Sequence, residues 1–154
     1  MSDGARNLLI AGGMLLVALA AYTAARHWQA GSAVYHRVAA DAGCDLRGGP
    51  CRREVAGGAV VFAITPADIP LMRPLTMRVE VEDLPVSGVV VEVRGLNMDM
   101  GLNRTRLQQS EAGVWTGETI LPICSQREMK WEAAVRLDAD SRSEIPFLFR
   151  TSRP

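Results

Sequence analysis

The chain has 154 residues, 17 basic against 17 acidic, and 48% of its residues are hydrophobic. That length holds one small domain, and a balanced charge without a basic stripe bearing interleaved aromatics argues against nucleic-acid binding. Two histidines and three cysteines in the whole chain leave little raw material for catalysis.

A short cytoplasmic tail (1–6) is expected to lead into residues Asn7 to Ala25, NLLIAGGMLLVALAAYTAA, nineteen consecutive positions without a charge. At ~1.5 Å per residue a helix over this run covers ~28 Å, close to the ~30 Å hydrocarbon core of a bilayer. The run (7–25) predicts one N-terminal transmembrane helix, with His27-Trp28 as its interfacial flank. A cleaved signal peptide is the competing reading. It would need a shorter apolar stretch and a small-x-small site, for which Ala20-Ala21-Tyr22 and Ala24-Ala25-Arg26 are the candidates. Arg6 precedes the run while Arg26, Arg37 and Arg47 follow it, so the positive-inside rule is mildly adverse to an external domain. The cysteines argue the other way, since cysteines in a small β-rich module suit an oxidising compartment. The expected placement is a bacterial inner membrane, single-pass, with the C-terminal domain periplasmic.

Residues 26–43 are expected as a helical stalk. Ala30, Ala33, Val34, Val38, Ala39 and Ala40 favour helix weakly, and Gly31-Ser32 permits a kink. Residues 44–58 read as a turn-rich cysteine segment. From Ala59 the apolar period changes to two, which opens a β-sandwich domain over 59–154. Ala59–Ile64 is a first apolar strand. Leu75, Met77, Val79 and Val81 alternate with Thr76, Arg78, Glu80 and Glu82 in a half-buried strand. Val89, Val91 and Val93 form a third, and polar Arg104–Gln109 an edge strand. Trp115–Leu121 and Lys130–Leu137 follow, the latter with Trp131, Ala133, Val135 and Leu137 inward. Ile145, Phe147 and Phe149 make the last. About seven short strands, separated by Pro and Gly turn signals, predict an all-β immunoglobulin-like antiparallel sandwich preceded by one transmembrane helix. A small barrel is the runner-up.

No enzyme is expected. His27 and His36 both lie in the stalk, so a Ser-His-Asp or Cys-His set would have to bring one of them to the far module. Glu80, Glu82 and Glu92 fall on polar strand phases, as a solvated face explains. No Gly-rich loop joins a strand to a helix. The three cysteines allow three pairings. Cys44 with Cys51 is favoured, because Gly48-Gly49-Pro50 supplies a turn that returns the chain, and it leaves Cys124 unpaired. Either other pairing would pin the stalk-proximal segment to the strand hairpin. The C-x6-C spacing matches neither a zinc pattern nor the C-x-x-C of a thiol oxidoreductase.

The methionines are the remaining candidates. Met77 is in phase with the core, and Met129 is in phase with Trp131 and caps the core. Met98 and Met100 differ, standing two apart in Gly95-Leu96-Asn97-Met98-Asp99-Met100-Gly101. In an extended segment both thioethers project to one side. Two such sulfurs suit Cu(I), a soft ion, with Met72 or Met129 as candidates for a third ligand. The plain alternative is two methionines plugging the end of a sandwich.

Gly95–Gly101 with its M-x-M-G, then Gly113 and Trp115, then Trp131, resembles the pattern of the YtkA-like and FixH families over roughly Val60 to Phe149. The resemblance implies a small, membrane-anchored extracytoplasmic β-sandwich associated with copper handling and with assembly of haem-copper oxidases. This chain departs from the pattern in having no histidine near Met98, and its cysteines are not part of it. The expectation is therefore a membrane-anchored periplasmic accessory protein that binds Cu(I) through Met98 and Met100. Its partners would be the membrane and a respiratory oxidase or its assembly factors. The alternative is a structural single-span accessory subunit of a larger membrane complex without metal. Its helix would pack through Ala11, Gly12, Gly13, Ala18, Ala20 and Ala21.

Overall fold

The computed structural model describes residues 3–30 and 34–153, with helix side chains described at Gly4 and over 11–25. The chain divides into two compact units, Met1–Val34 and Tyr35–Pro154. The first unit is α1, Asp3–Ala30. Its Ala- and Leu-rich, proline-free sequence favours helix strongly enough to carry Gly12-Gly13. Met14, Leu15, Leu16, Val17 and Leu19 are all exposed on it. Consecutive positions lie ~100° apart, so the apolar surface runs around the helix and not along one stripe.

The transmembrane helix expected over 7–25 is corrected. Among the described residues no helix is long and apolar enough to cross a membrane. The side chains of Arg6, Arg26, His27 and Trp28, and the kink expected at Gly31-Ser32, lie outside the described residues.

The second unit contains ten strands: β1 His36–Arg37, β2 Cys51–Val55, β3 Gly58–Thr65, β4 Pro74–Glu82, β5 Gly88–Gly95, β6 Asn103–Arg106, β7 Gln108–Glu111, β8 Val114–Ile120, β9 Glu128–Asp138 and β10 Ser143–Ser152. They form two five-stranded sheets, ordered β1-β10-β9-β5-β6 and β2-β3-β4-β8-β7. All pairs are antiparallel except β1 with β10. Inward residues of both sheets share one core, as a β-sandwich requires. Phe62 of β3 meets Phe147 of β10 across it at 5.2 Å between ring centroids. Trp131 is buried, stacks on Phe149, and donates its indole N–H to Thr151 Oγ1 at 2.8 Å. That bond satisfies the one polar atom of the largest core side chain.

Three segments differ from the expected strands. The helical stalk expected over 26–43 ends at Ala30, and residues 36–37 instead pair parallel with β10. Val38 N–H continues this run by donating to Glu144 O at 2.9 Å. Side chains explain the switch: Tyr35 Oη donates to Asp138 Oδ1 at 2.7 Å, and Arg37 reaches Glu132 and Glu144. The segment 44–58 supplies β2, which pairs with β3. The edge strand expected over 104–109 is split into β6 and β7. Between them Leu107 is buried in the core, so the chain crosses there from one sheet to the other. Gly117 leaves room for that crossing, since a Cβ there would stand 2.6 Å from Leu107 Cδ2.

Seven charged residues link the strands of the first sheet on its outer face. The chain of contacts runs Arg94–Glu132–Arg37–Glu144–Arg136–Glu92–Arg104. Glu92 was expected on a solvated strand face, yet it is buried between Arg104 and Arg136, at 2.8 and 2.7 Å.

Candidate functional site

The candidate site lies at the end of the sandwich where β5 gives way to the loop 96–102. Asn97 fixes that loop to β9: its Nδ2 donates to Glu128 O and its Oδ1 accepts from Lys130 N–H, both at 3.0 Å. Asp99 Oδ1 accepts from Gly101 N–H at 2.9 Å, and Gly101 takes φ +73°, where glycine turns the chain without strain. Between these two anchors stand Met98 and Met100. The facing loop, between β8 and β9, carries Cys124.

Met98 and Cys124 come together. Cys124 Sγ stands 2.8 Å from Met98 Sδ, and Ser125 Oγ approaches the same thioether at 3.9 Å. Gln126 N–H points to Cys124 Sγ at 3.4 Å. Cys124 is buried, at 5% exposure, whereas Met98 is 39% exposed, so an exposed methionine lies against a buried cysteine. Cys124 is not disulfide-bonded. Cys44 and Cys51 form the disulfide, with 5.9 Å between their Cα atoms.

Met100 and Met129 stand behind this pair, about Gly95. A Cβ on Gly95 would lie 2.3 Å from Met98 O, 3.0 Å from Met129 Cε and 3.3 Å from Met100 Cγ. The glycine is therefore required for the loop to fold back and for both thioethers to pack. Met129 is fully buried and Met100 is half-buried against the core. Met72 is on another loop, highly exposed at φ +58°, with its N–H bonded to Leu121 O. Of the sulfurs read from the sequence, Met98 has Cys124 as its nearest sulfur neighbour, while Met100 faces inward. The segment bends over Leu96–Met98 once β5 has ended, so Met98 and Met100 are not two positions of one extended strand. The sequence signal for Cys124 was its exclusion from the favoured disulfide, which left a thiol without a task.

His36 is on β1 and exposed. Among the described residues no group of three or more His, Cys, Asp or Glu could hold a metal ion. The donors at this end are sulfur, and a thiol with a thioether is a soft pair suited to a soft ion.

No protein-family model matches the chain, and no curated protein matches it. Among solved structures it is similar to an engineered protein known from a crystal structure, at 21% identity and a TM-score of 0.44. That match covers 62% of this chain and spans a fifth (20%) of the engineered one.

Proposed function

We propose that this protein is a non-enzymatic accessory protein of an oxidising, extracytoplasmic compartment that binds Cu(I) through Met98 and Cys124. The carrying observation is that the fold brings Cys124 Sγ and Met98 Sδ together from two different loops. The Cys44–Cys51 disulfide supports the compartment, since such bonds persist where thiols are oxidised. The resemblance to YtkA-like and FixH proteins points to service of a copper-dependent respiratory complex.

Bound Cu(I) would supply charge and softness; the residues supply the rest. Cys124 would bind as the thiolate, the form of cysteine that ligates metals. Asn97 holds the loop that presents Met98, and Gly95 holds that loop close. Its burial keeps the Cys124 thiol from bulk oxidant.

A competition titration against a Cu(I) chelator tests this on the wild type, Met98→Leu and Cys124→Ser. Leucine keeps the volume and apolarity of methionine. Each variant is expected to weaken Cu(I) binding by at least about tenfold, as loss of a ligand exceeds loss of its supporting shell. Equal binding by all three proteins, or none by the wild type, overturns the reading.

A further inference from the structure

The ion-pair chain on the outer face of the first sheet has four arginines and three glutamates. Each glutamate is held by two arginines. The inner arginines, Arg37 and Arg136, bridge carboxylates; the terminal ones, Arg94 and Arg104, each contact one that is already held by another. Glu132 keeps Arg37 without Arg94, and Glu92 keeps Arg136 without Arg104. Four guanidinium groups over three carboxylates leave this chain with one positive charge in excess.

The layering of charge makes that surplus visible from outside. The carboxylate side chains are 5–10% exposed, whereas Arg94 and Arg104 are 43% and 50% exposed. A partner approaching this face meets guanidinium groups lying over shielded carboxylates. The strand register extends the pattern. Arg104 is opposite Glu92, Arg94 is two residues further along β5, and Leu96 N–H bonds Lys130 O. Lys130 in turn is opposite Arg150. All four residues share the outward phase: Arg104, Arg94 and Lys130 form a diagonal row over β6, β5 and β9 with ~7–8 Å between neighbours, and Arg150 of β10 stands directly beside Lys130. Lys130 is exposed and makes no ion pair among the described residues. Arg150 pairs with exposed Glu128 at 3.0 Å. The row ends at an open cleft of about 470 Å³, lined by Lys130 and Arg150 together with Leu96, Leu148 and one acid, Asp45.

We propose that this row is a docking surface for an acidic segment of a partner protein, whose carboxylates pair with Arg104, Arg94 and Lys130 and end in the cleft. An extended segment repeats its side chains every ~6.6 Å on one side, close to the spacing of the row. Arginines already held in place by glutamates lose little freedom on pairing. A lipid surface fits less well. Leu96, 50% exposed where the row meets the cleft, is a single apolar side chain among cations and gives little to insert. This proposal does not rest on the copper reading, since none of its residues is a sulfur ligand.

The test uses the full chain and a fluorescein-labelled decaglutamate peptide. Binding is expected at low ionic strength and should weaken steeply between ~20 and ~200 mM salt as screening sets in. Arg94→Gln/Arg104→Gln should weaken it about tenfold while leaving the thermal midpoint near wild type. Arg52→Gln/Arg78→Gln on the other sheet should leave it unchanged. If the first variant lowers the midpoint, Lys130→Gln/Arg150→Gln replaces it with the same expected loss. No peptide binding at low salt, equal losses on both sheets, or a preference for anionic over neutral vesicles without peptide binding would each overturn the proposal.

Discussion

The outer faces of the two sheets carry the same residue types in the same alternation, yet they are built differently. On the second sheet Arg52 pairs with Glu54 and with Glu82, and Arg78 pairs with Glu80 at 2.8 Å. These pairs are exposed: Arg52 holds Glu54 on its own strand and reaches Glu82 of β4 across β3, while Arg78 and Glu80 pair within β4. On the first sheet the pairs join across all five strands, and the carboxylates are shielded. The difference arises in register. Glu144 faces Arg136, Pro146 faces Ala134, and Leu148 faces Glu132. The small Ala134 and compact Pro146 leave a low row between the two glutamates, over which Arg37 from β1 reaches both. Alternation sets which face a charge occupies; only the third strand decides whether it is isolated or networked. An isolated surface pair contributes ~0–1 kcal/mol, whereas breaking a buried one leaves a charge without its partner.

The comparison is broken most severely from below. Trp131 lies under the first face, adjacent in sequence to Glu132, and fills the space between the sheets. Trp131→Ala is expected to destabilise by about 3–5 kcal/mol, through lost burial and the cavity left behind. It also leaves the Thr151 hydroxyl without its indole donor. A chemical denaturation midpoint equal to wild type would place Trp131 outside the core and invert the assignment of faces.

That inward phase of β9 was legible in the sequence, as were the phases of β3, β4 and β5, because period-two alternation is a local signal. The Cys44–Cys51 pairing was legible for the same reason, since Gly48, Gly49 and Pro50 make a local turn. What escaped was non-local. Parallel pairing of His36–Arg37 with β10 depends on Tyr35 and Arg37 finding partners about a hundred residues away. The expected stalk helix rested on alanines alone, and weak propensity yields to such tertiary contacts. The crossing at Leu107 is one apolar residue within a polar run, too short to give a period. At the candidate site the spacing singled out Met98 together with Met100, but gave no sign of Cys124, 26 residues on from Met98. No local pattern links a thiol on one loop to a thioether on another.

A second, smaller perturbation separates the two faces directly. Burial pushes the Glu144 carboxyl up, but hydrogen bonds from Arg136 and Arg37, and their charges, outweigh it and leave its pKa below the ordinary 4.5. A carboxylate whose folded pKa is depressed stabilises the protein above the unfolded value. That stabilisation declines as pH falls through 4.5 and is gone below the folded value. Glu144→Gln is expected to cost about 1.5–3 kcal/mol near pH 7, the range for hydrogen bonds to a charged group. The gap from wild type should close in acid, where Glu144 is protonated in both states. Thermal midpoints of both proteins measured from pH 7 to pH 3 check this; a gap independent of pH would mean that shape, not charge, is what glutamine fails to supply.

The smallest effect belongs to the second face. Glu82 pairs with Arg52, and their side chains are 45% and 49% exposed. Water screens both, and two long side chains must be held still to meet, so Glu82→Gln should leave the thermal midpoint close to wild type. Its effect should also disappear in salt, because at ~1 M the screening length falls to ~3 Å. The Glu144 effect should persist there, since its carboxylate sits beneath two arginines where counter-ions reach it poorly. Midpoints of the two variants at low and high ionic strength, each against wild type in the same buffer, make the contrast quantitative. Equal losses that salt erases alike would show that the seven-residue chain is only a set of surface pairs, and that the two faces differ in appearance but not in energy.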